Sequence, residues 1–408
     1  MNMMKSKLIK NYGLLLFVFC CYTFESVAQK ASQAISRPLL LKQFKQNFND
    51  AQKQYQFLAQ HLPAGKFPKT YFPNTDRYEF SNSDWWCSGF YPGSLLYIYE
   101  QTKDQATYQE AERILKDLEK EKYNTTTHDL GFMMFCSFGN ANRIAPKPEY
   151  KEILLTSAKS LATRFNPKVG CIKSWDSKPD DFLVIIDNMM NLELLFWATE
   201  VTGDSSYYKI AVTHANTTMK HHFRPDFSSF HVINYDANTG EVKQKKTAQG
   251  FANESAWARG QAWGLYGYTV MYRVTKNPIY LEQANKIANF YLNHPNLPAD
   301  KIPFWDFNAP NQPEALRDAS AASVVASALL ELQGYVKAPL AKTYVASAEK
   351  MLWSLSNSPY KSAYGKNGGF LIKHCVGHIP QNTEVDVPLT YADYYFLEAM
   401  KRYQELRK

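Results

Sequence analysis

The sequence predicts an all-α fold, an (α/α)6 toroid of about twelve helices with a small β-hairpin insertion at its rim. Three observations predict it. Apolar residues recur at three- and four-residue spacing in segment after segment. Many neighbouring segments are joined by short polar links such as Thr202-Gly203-Asp204 and Thr275-Lys276-Asn277-Pro278, and short links favour antiparallel neighbours. The segments also alternate in character. A helix apolar nearly all round belongs inside, and an amphipathic one outside.

In chain order the helical segments lie near 40–62, 88–101, 105–120, 130–140, 148–164, 187–202, 205–222, 255–275, 278–294, 318–335, 339–356 and 388–406. Segments 88–101, 187–202, 255–275 and 318–335 are rich in Ala, Gly, Leu and aromatics and read as inner helices. Segments 105–120, 205–222, 278–294 and 339–356 carry Lys, Glu and Gln on one face and read as outer ones. No strict sequence repeat accompanies the pairing, which counts against an open solenoid. One region breaks the helical pattern. Residues 229–235 read as a strand, 236–240 as a turn and 241–246 as a returning strand. Such an insertion belongs on the rim of a toroid, where loops form a binding cleft. No shift of composition marks a domain boundary, so 29–408 reads as a single catalytic domain.

The first 28 residues read as a signal peptide. Lys5, Lys7 and Lys10 make a positive leader, Tyr12 to Tyr22 is apolar but too short to span a bilayer, and Ser26-Val27-Ala28 offers a cleavage site. The expected location is the periplasm. Cys20 and Cys21 raise the alternative of a lipid anchor, against which the bulky Phe17-Val18-Phe19 argues. No later segment is long and apolar enough to cross a membrane. Cys87, Cys136, Cys171 and Cys375 are scattered, without metal-like spacing, and read as buried thiols or one incidental disulfide.

A formal charge of +8 is a modest excess that would help attract an anionic ligand. No run of Lys and Arg interleaved with aromatics suggests nucleic acid. Aromatic residues make up 15% of the chain, which suits a large core or a carbohydrate site. There is no H-E-x-x-H, G-x-S-x-G, Walker or G-x-G-x-x-G pattern, and nothing calls for a metal or a cofactor.

Three short stretches carry the chemistry: His128-Asp129-Leu130-Gly131-Phe132, Ile185-Ile186-Asp187-Asn188, and Trp257-Ala258-Arg259-Gly260-Gln261-Ala262-Trp263. Asp187 sits between apolar runs. Desolvation there would raise its pKa and keep its proton on near neutrality, as a general acid requires. Asp129 has the same setting before its own apolar helix. Helix capping explains either aspartate equally well. Arg259 and Trp263 share a helix face. A guanidinium beside an indole suits a sugar carboxylate, although a buried ion pair is the alternative. His231 in the expected strand, Gln249 in the following loop, and Trp85 and Trp86 beside Asp84 are further candidates. Core packing or ordinary loop polarity would also account for them. Together the residues point to a hydrolase for an acidic sugar.

These motifs, with Arg317-Asp318-Ala319-Ser320-Ala321-Ala322, Glu384-Val385-Asp386-Val387-Pro388-Leu389 and Asp393-Tyr394-Tyr395 in the same order, resemble the unsaturated glucuronyl hydrolases of glycoside hydrolase family 88. The resemblance implies an (α/α)6 barrel and removal of 4,5-unsaturated glucuronic acid from the non-reducing end of polysaccharide-lyase products. It implies Asp187 as acid/base, Asp129 as the second essential aspartate, and Trp86, His231, Gln249, Arg259 and Trp263 as substrate-contacting residues. Unsaturated acidic oligosaccharides are the implied partners. Lys373, His374 and His378 lie in a Gly-rich loop that would read a sulfate or a second sugar, or else hold solvated charges. Cys375 stands there where many relatives carry a small hydroxyl residue. Three other readings remain at this point: an unsaturated rhamnogalacturonyl hydrolase acting on pectin fragments, an inverting glycosidase on the same barrel, and an exported glycan-binding protein.

Overall fold

In the computed structural model, which describes residues 35–406, the chain alternates between an outer and an inner wall of helices. The proposed signal peptide and Cys20 and Cys21 lie outside those residues. Helix α1 (Arg37–His61), from residue 41 onward, reaches toward the last helix, with Tyr55 OH donating to Asp393 Oδ2 at 3.2 Å. The inner α2 (Phe90–Thr102) is backed by α3 (Gln105–Leu118). A π-helix (Gly131–Gly139), continued by the short α4 (Asn140–Ile144), is backed by α5 (Pro148–Ala162). The same pairing repeats in α6 (Leu192–Thr202) with α7 (Ser205–His222), α8 (Ala258–Thr275) with α9 (Pro278–Asn293), and α10 (Ala319–Leu332) with α11 (Ala338–Leu355). Finally α12 (Thr390–Glu405) packs against both α10 and α2 and closes the ring. The architecture is an (α/α)6 barrel, with twelve α-helices among the described residues.

Local chemistry explains where these helices begin. Asp104 accepts from Thr107 N (2.9 Å), Asp204 from Ser206 N (2.8 Å), Asn277 from Ile279 N (3.2 Å) and Asp318 from Ser320 N (3.0 Å), each satisfying an orphan donor of a first turn. Pro148, Pro278 and Pro339 stand in first turns, where the missing N–H costs nothing. Along α10 every residue but Glu331 is buried, and its Ala, Ser and Val side chains let α8 and α12 approach closely. The amphipathic α3 instead buries Thr107, Ala111, Ile114, Leu115 and Leu118 and leaves its charged face outside.

The expected hairpin is present, after four strands that pair two by two: β1 (Phe67–Phe72) with β2 (Arg77–Ser81), and β3 (Phe165–Asn166) with β4 (Cys171–Ile172). Strand β5 (Asp181–Ile185) then pairs antiparallel with β6 (Val232–Asp236), which pairs with β7 (Val242–Lys246). The insertion is therefore a three-stranded sheet rather than a lone hairpin. Its third strand is the apolar run leading into Asp187, to which the sequence analysis assigned no element. The Gly-rich C-terminal loop is also more ordered than expected. It forms a hairpin of β8 (Cys375–His378) and β9 (Thr383–Val387). The segment near 187–202 starts as a 3-10 turn (Ile186–Asn191), and the segment near 130–140 is mostly π-helical. Cys87, Cys136, Cys171 and Cys375 are all free thiols.

Candidate active site

The N-terminal ends of the inner helices gather the residues that sequence singled out. Asp129 stands just before the π-helix, and Asp187 in the 3-10 turn that feeds α6. Arg259 and Trp263 occupy the first turns of α8, Asp318 caps α10, and Tyr391 opens α12. Trp86 precedes α2. Helix dipoles put positive potential at such ends, which favours an acidic ligand.

Neither aspartate is a cap. Asp187 is 8% exposed and its Oδ2 has no hydrogen-bond partner among the described residues. Asp129 is 9% exposed and accepts from side chains, Thr127 Oγ1 (3.3 Å) and Asn191 Nδ2 (3.5 Å). Burial raises both carboxyls to about 7. For Asp187 the Arg259 charge works against that rise and the Asp129 charge adds to it. The Trp263 indole N–H, near Asp187, also lowers it, although it falls short of a full hydrogen bond. Asn191 ties the two elements together, since its Oδ1 accepts from Phe132 N at 2.9 Å while its amide reaches Asp129. Gly131 permits this approach, because a Cβ there would sit 2.4 Å from Asn191 Cα.

His231 is held by its surroundings in one tautomer. Its Nδ1 accepts the N–H groups of Ala248 and Gln249, both at 3.1 Å. Burial also drives its pKa well down, so the ring is neutral and the proton sits on Nε2. That nitrogen stands 3.7 Å from Asp187 Oδ2. The ring packs on Trp257, centroids 4.5 Å apart, and Trp175 meets it edge-on at 6.0 Å. Gln249 spans from His231 to the C-terminal hairpin, donating from Nε2 to Gly377 O at 3.0 Å.

The structure seals two of the substrate-contacting candidates into the wall of the site. Arg259 is 1% exposed and already committed, the buried ion pair that the sequence left open as the alternative. It donates to Asp318 Oδ2 (2.9 Å), to Gly377 O (2.7 Å) and to Val376 O. It acts on the site through its charge and through the backbone it holds. Trp263, the other, is 0% exposed, with Phe132 and Tyr395 against its ring. Helical spacing placed both residues on one face, but it could not tell that the face was sealed. Trp86 is half-buried, between Tyr391 (4.9 Å) and Phe132 (5.5 Å). In the hairpin region His374 Nδ1 pairs with Asp386 at 2.7 Å, His378 accepts from Gln381 N at 3.3 Å, and Cys375 is buried.

Sequence reasoning gave no role to Trp175, Asn191 or Asp318. Trp175 is 37% exposed beside His231 and offers an accessible ring. An indole in the polar loop Lys173-Ser174-Trp175-Asp176 was the signal that could have found it. Asn191, inside an apolar run, was visible in the same way. Among the described residues, no group of three or more His, Cys, Asp or Glu side chains is placed to hold a metal ion.

Comparison with known proteins agrees with this arrangement. The family model described as Glycosyl Hydrolase Family 88 matches residues 58–406. An unsaturated glucuronyl hydrolase of Formosa agariphila is 48% identical over 363 residues, covering 88% of this chain and 90% of the relative. A crystal structure of an unsaturated glucuronyl hydrolase specific for heparin superposes with a TM-score of 0.87 at 47% identity, covering 90% of this chain and 98% of that one. A variant of the Streptococcus agalactiae unsaturated glucuronyl hydrolase, solved with dGlcA-GalNAc6S, gives a TM-score of 0.76 at 28% identity over 92% of this chain and 94% of that one. With its barrel, its paired buried aspartates and these relatives, the chain belongs to glycosyl hydrolase family 88.

Proposed function

We propose that the protein is an unsaturated glucuronyl hydrolase. It removes 4,5-unsaturated glucuronic acid from the non-reducing end of oligosaccharides left by polysaccharide lyases. The observation that carries this reading is Asp187. Its carboxyl is buried, free of capping duty and raised by burial to about 7, with a fixed N–H donor at 3.7 Å.

The C4=C5 bond of the substrate is an enol ether, and it accepts a proton at C4. Asp187 donates that proton, which leaves oxocarbenium character at C5 and the ring oxygen. The Nε2–H of His231 then faces the new carboxylate. Hydrogen bonds from Thr127 and Asn191 favour the anion of Asp129. An ionised Asp129 stabilises the positive sugar and, before the step, helps hold the proton on Asp187. Water adds at C5 and returns its proton to Asp187. The hemiketal opens and rearranges, and the glycosidic bond is lost. No covalent sugar–enzyme bond is needed, unlike retaining hydrolysis.

Heparin-type unsaturated disaccharides are the first substrates to try, because the solved relative at 47% identity is specific for heparin. The test follows the ultraviolet absorbance of the conjugated alkene with unsaturated disaccharides from several lyases. The signal decays under this reading, and the saturated counterparts stay intact. An absorbance that persists on every unsaturated substrate overturns it. Export to the periplasm is proposed on the Lys5–Ala28 pattern. Cell fractionation and the mass of the mature N-terminus test it, and acylation at Cys20 or Cys21 would replace it with membrane anchoring.

A further inference from the structure

The C-terminal hairpin is gripped by an ion pair that the chemistry above does not use. Val376 is held through both of its peptide groups. Its C=O accepts from Arg259 Nη1, and its N–H donates to Asp318 Oδ1 at 3.4 Å. The same two side chains bind each other, Arg259 Nη1 to Asp318 Oδ2, at 2.9 Å. The next carbonyl, Gly377 O, takes Arg259 Nη2 (2.7 Å) and Gln249 Nε2 (3.0 Å). Ser320 anchors the acid with its N–H (3.0 Å) and hydroxyl (2.5 Å). Arg259 is 1% exposed and Asp318 0%. Losing one partner would leave the other charge buried and uncompensated.

The clasped segment needs such a constraint. His374, Asn382, Glu384 and Asp386 all have positive φ, at 61°, 52°, 54° and 53°. Residues with a Cβ enter this region uncommonly, and Glu384 less readily than His374, Asn382 or Asp386, so four of them in one short segment ask for support from outside it. The guanidinium also acts on Asp187, lowering its pKa. The groups around Arg259 are Asp318 itself, Tyr391 from α12 and His231 just before β6, with His378, Glu384 and Cys375 from the hairpin. Around Asp187 they are Arg259, Asp129, His231 and the Trp263 N–H.

We propose that Asp318 is a positioning residue for the hydration reaction: paired with Arg259, it clasps the Val376 peptide, docking the β8–β9 hairpin and fixing the charge that acts on Asp187. The proposal rests on the hydration reading given above. Asp318 touches no reacting atom and works through Arg259. Removing its negative charge leaves the guanidinium unbalanced, which lowers the pKa of Asp187. Removing the guanidinium does the opposite.

The test measures kcat and KM of the full chain against pH on an unsaturated disaccharide, for D318N, R259M and R259K. In D318N, kcat falls about tenfold or more. Its alkaline limb moves down by about half a pH unit. In R259M that limb moves up. R259K keeps the charge and loses the fork, so its limb stays near the wild-type position while amide exchange at 375–378 quickens. A D318N limb that is unmoved or shifted upward overturns the proposal. So does unchanged exchange at 375–378 in both D318N and R259K. Should D318N fail to fold, the opposed behaviour of R259M and R259K decides. A wild-type chain inactive on every unsaturated disaccharide sinks the functional reading instead, and hairpin exchange then still tests the clasp.

Discussion

Nε2 of His231 stands 3.7 Å from Oδ2 of Asp187, and it carries the only proton of the ring because Nδ1 already accepts two backbone N–H groups. The contact is loose while Asp187 holds its proton. It strengthens once the carboxylate forms, which is where catalysis gains from it. H231A is therefore expected to lower kcat by about ten- to a hundredfold with a smaller change in KM. H231Q, whose amide can present an N–H, should recover part of the loss. Steady-state rates from alkene absorbance check both.

Asp187→Asn removes the proton donor and nothing from the packing. Turnover should drop by at least about a thousandfold while circular dichroism stays that of the wild type. Substantial residual turnover would show that the proton comes from elsewhere.

The same variant has a pH-dependent effect on stability. Burial lifts the folded-state pKa of Asp187 from the ordinary 3.8 to about 7. The folded protein thus keeps a proton that the unfolded chain releases between those values. Stability from this group is complete below the unfolded pKa and is lost as pH rises through the folded one. Asparagine has no proton to lose. The stability advantage of D187N should grow from pH 4 to 7 and level off above, reaching roughly 1–3 kcal/mol. Thermal melts of both proteins across that range provide the measurement.

Activity should follow the acid form. With Asp187 titrating near 7, kcat/KM is expected to fall as pH rises beyond neutrality. A rate that stays flat to pH 9 would remove Asp187 from the role of donor.

Gly131 lets the two aspartate-bearing turns meet. An added Cβ would lie 2.4 Å from Asn191 Cα and 2.7 Å from its Oδ1. G131A should cost about 2–4 kcal/mol of stability and depress kcat together, because Asn191 also supports Asp129. Urea denaturation and kinetics on the same sample test the coupling.

The amino-acid sequence by itself determined the barrel and the two aspartates. The 3.6-residue period, the polar links and the alternation of apolar with amphipathic segments are local properties, and each survives translation into the twelve-helix ring. Asp129 and Asp187 were legible because a carboxylate inside an apolar run is costly, and cost marks function or capping. Only the tertiary structure removed capping from the choice, since a cap is defined by which N–H the carboxylate meets. The same holds for Arg259 and Trp263. Their shared helix face was readable, but its closure by Asp318, the Val376 and Gly377 carbonyls and an aromatic layer comes from residues far along the chain. The strand before Asp187 and the hairpin at 375–387 were missed for a related reason. Their pairing partners are distant in sequence, or their turns use left-handed residues other than glycine, and local periodicity carries neither signal.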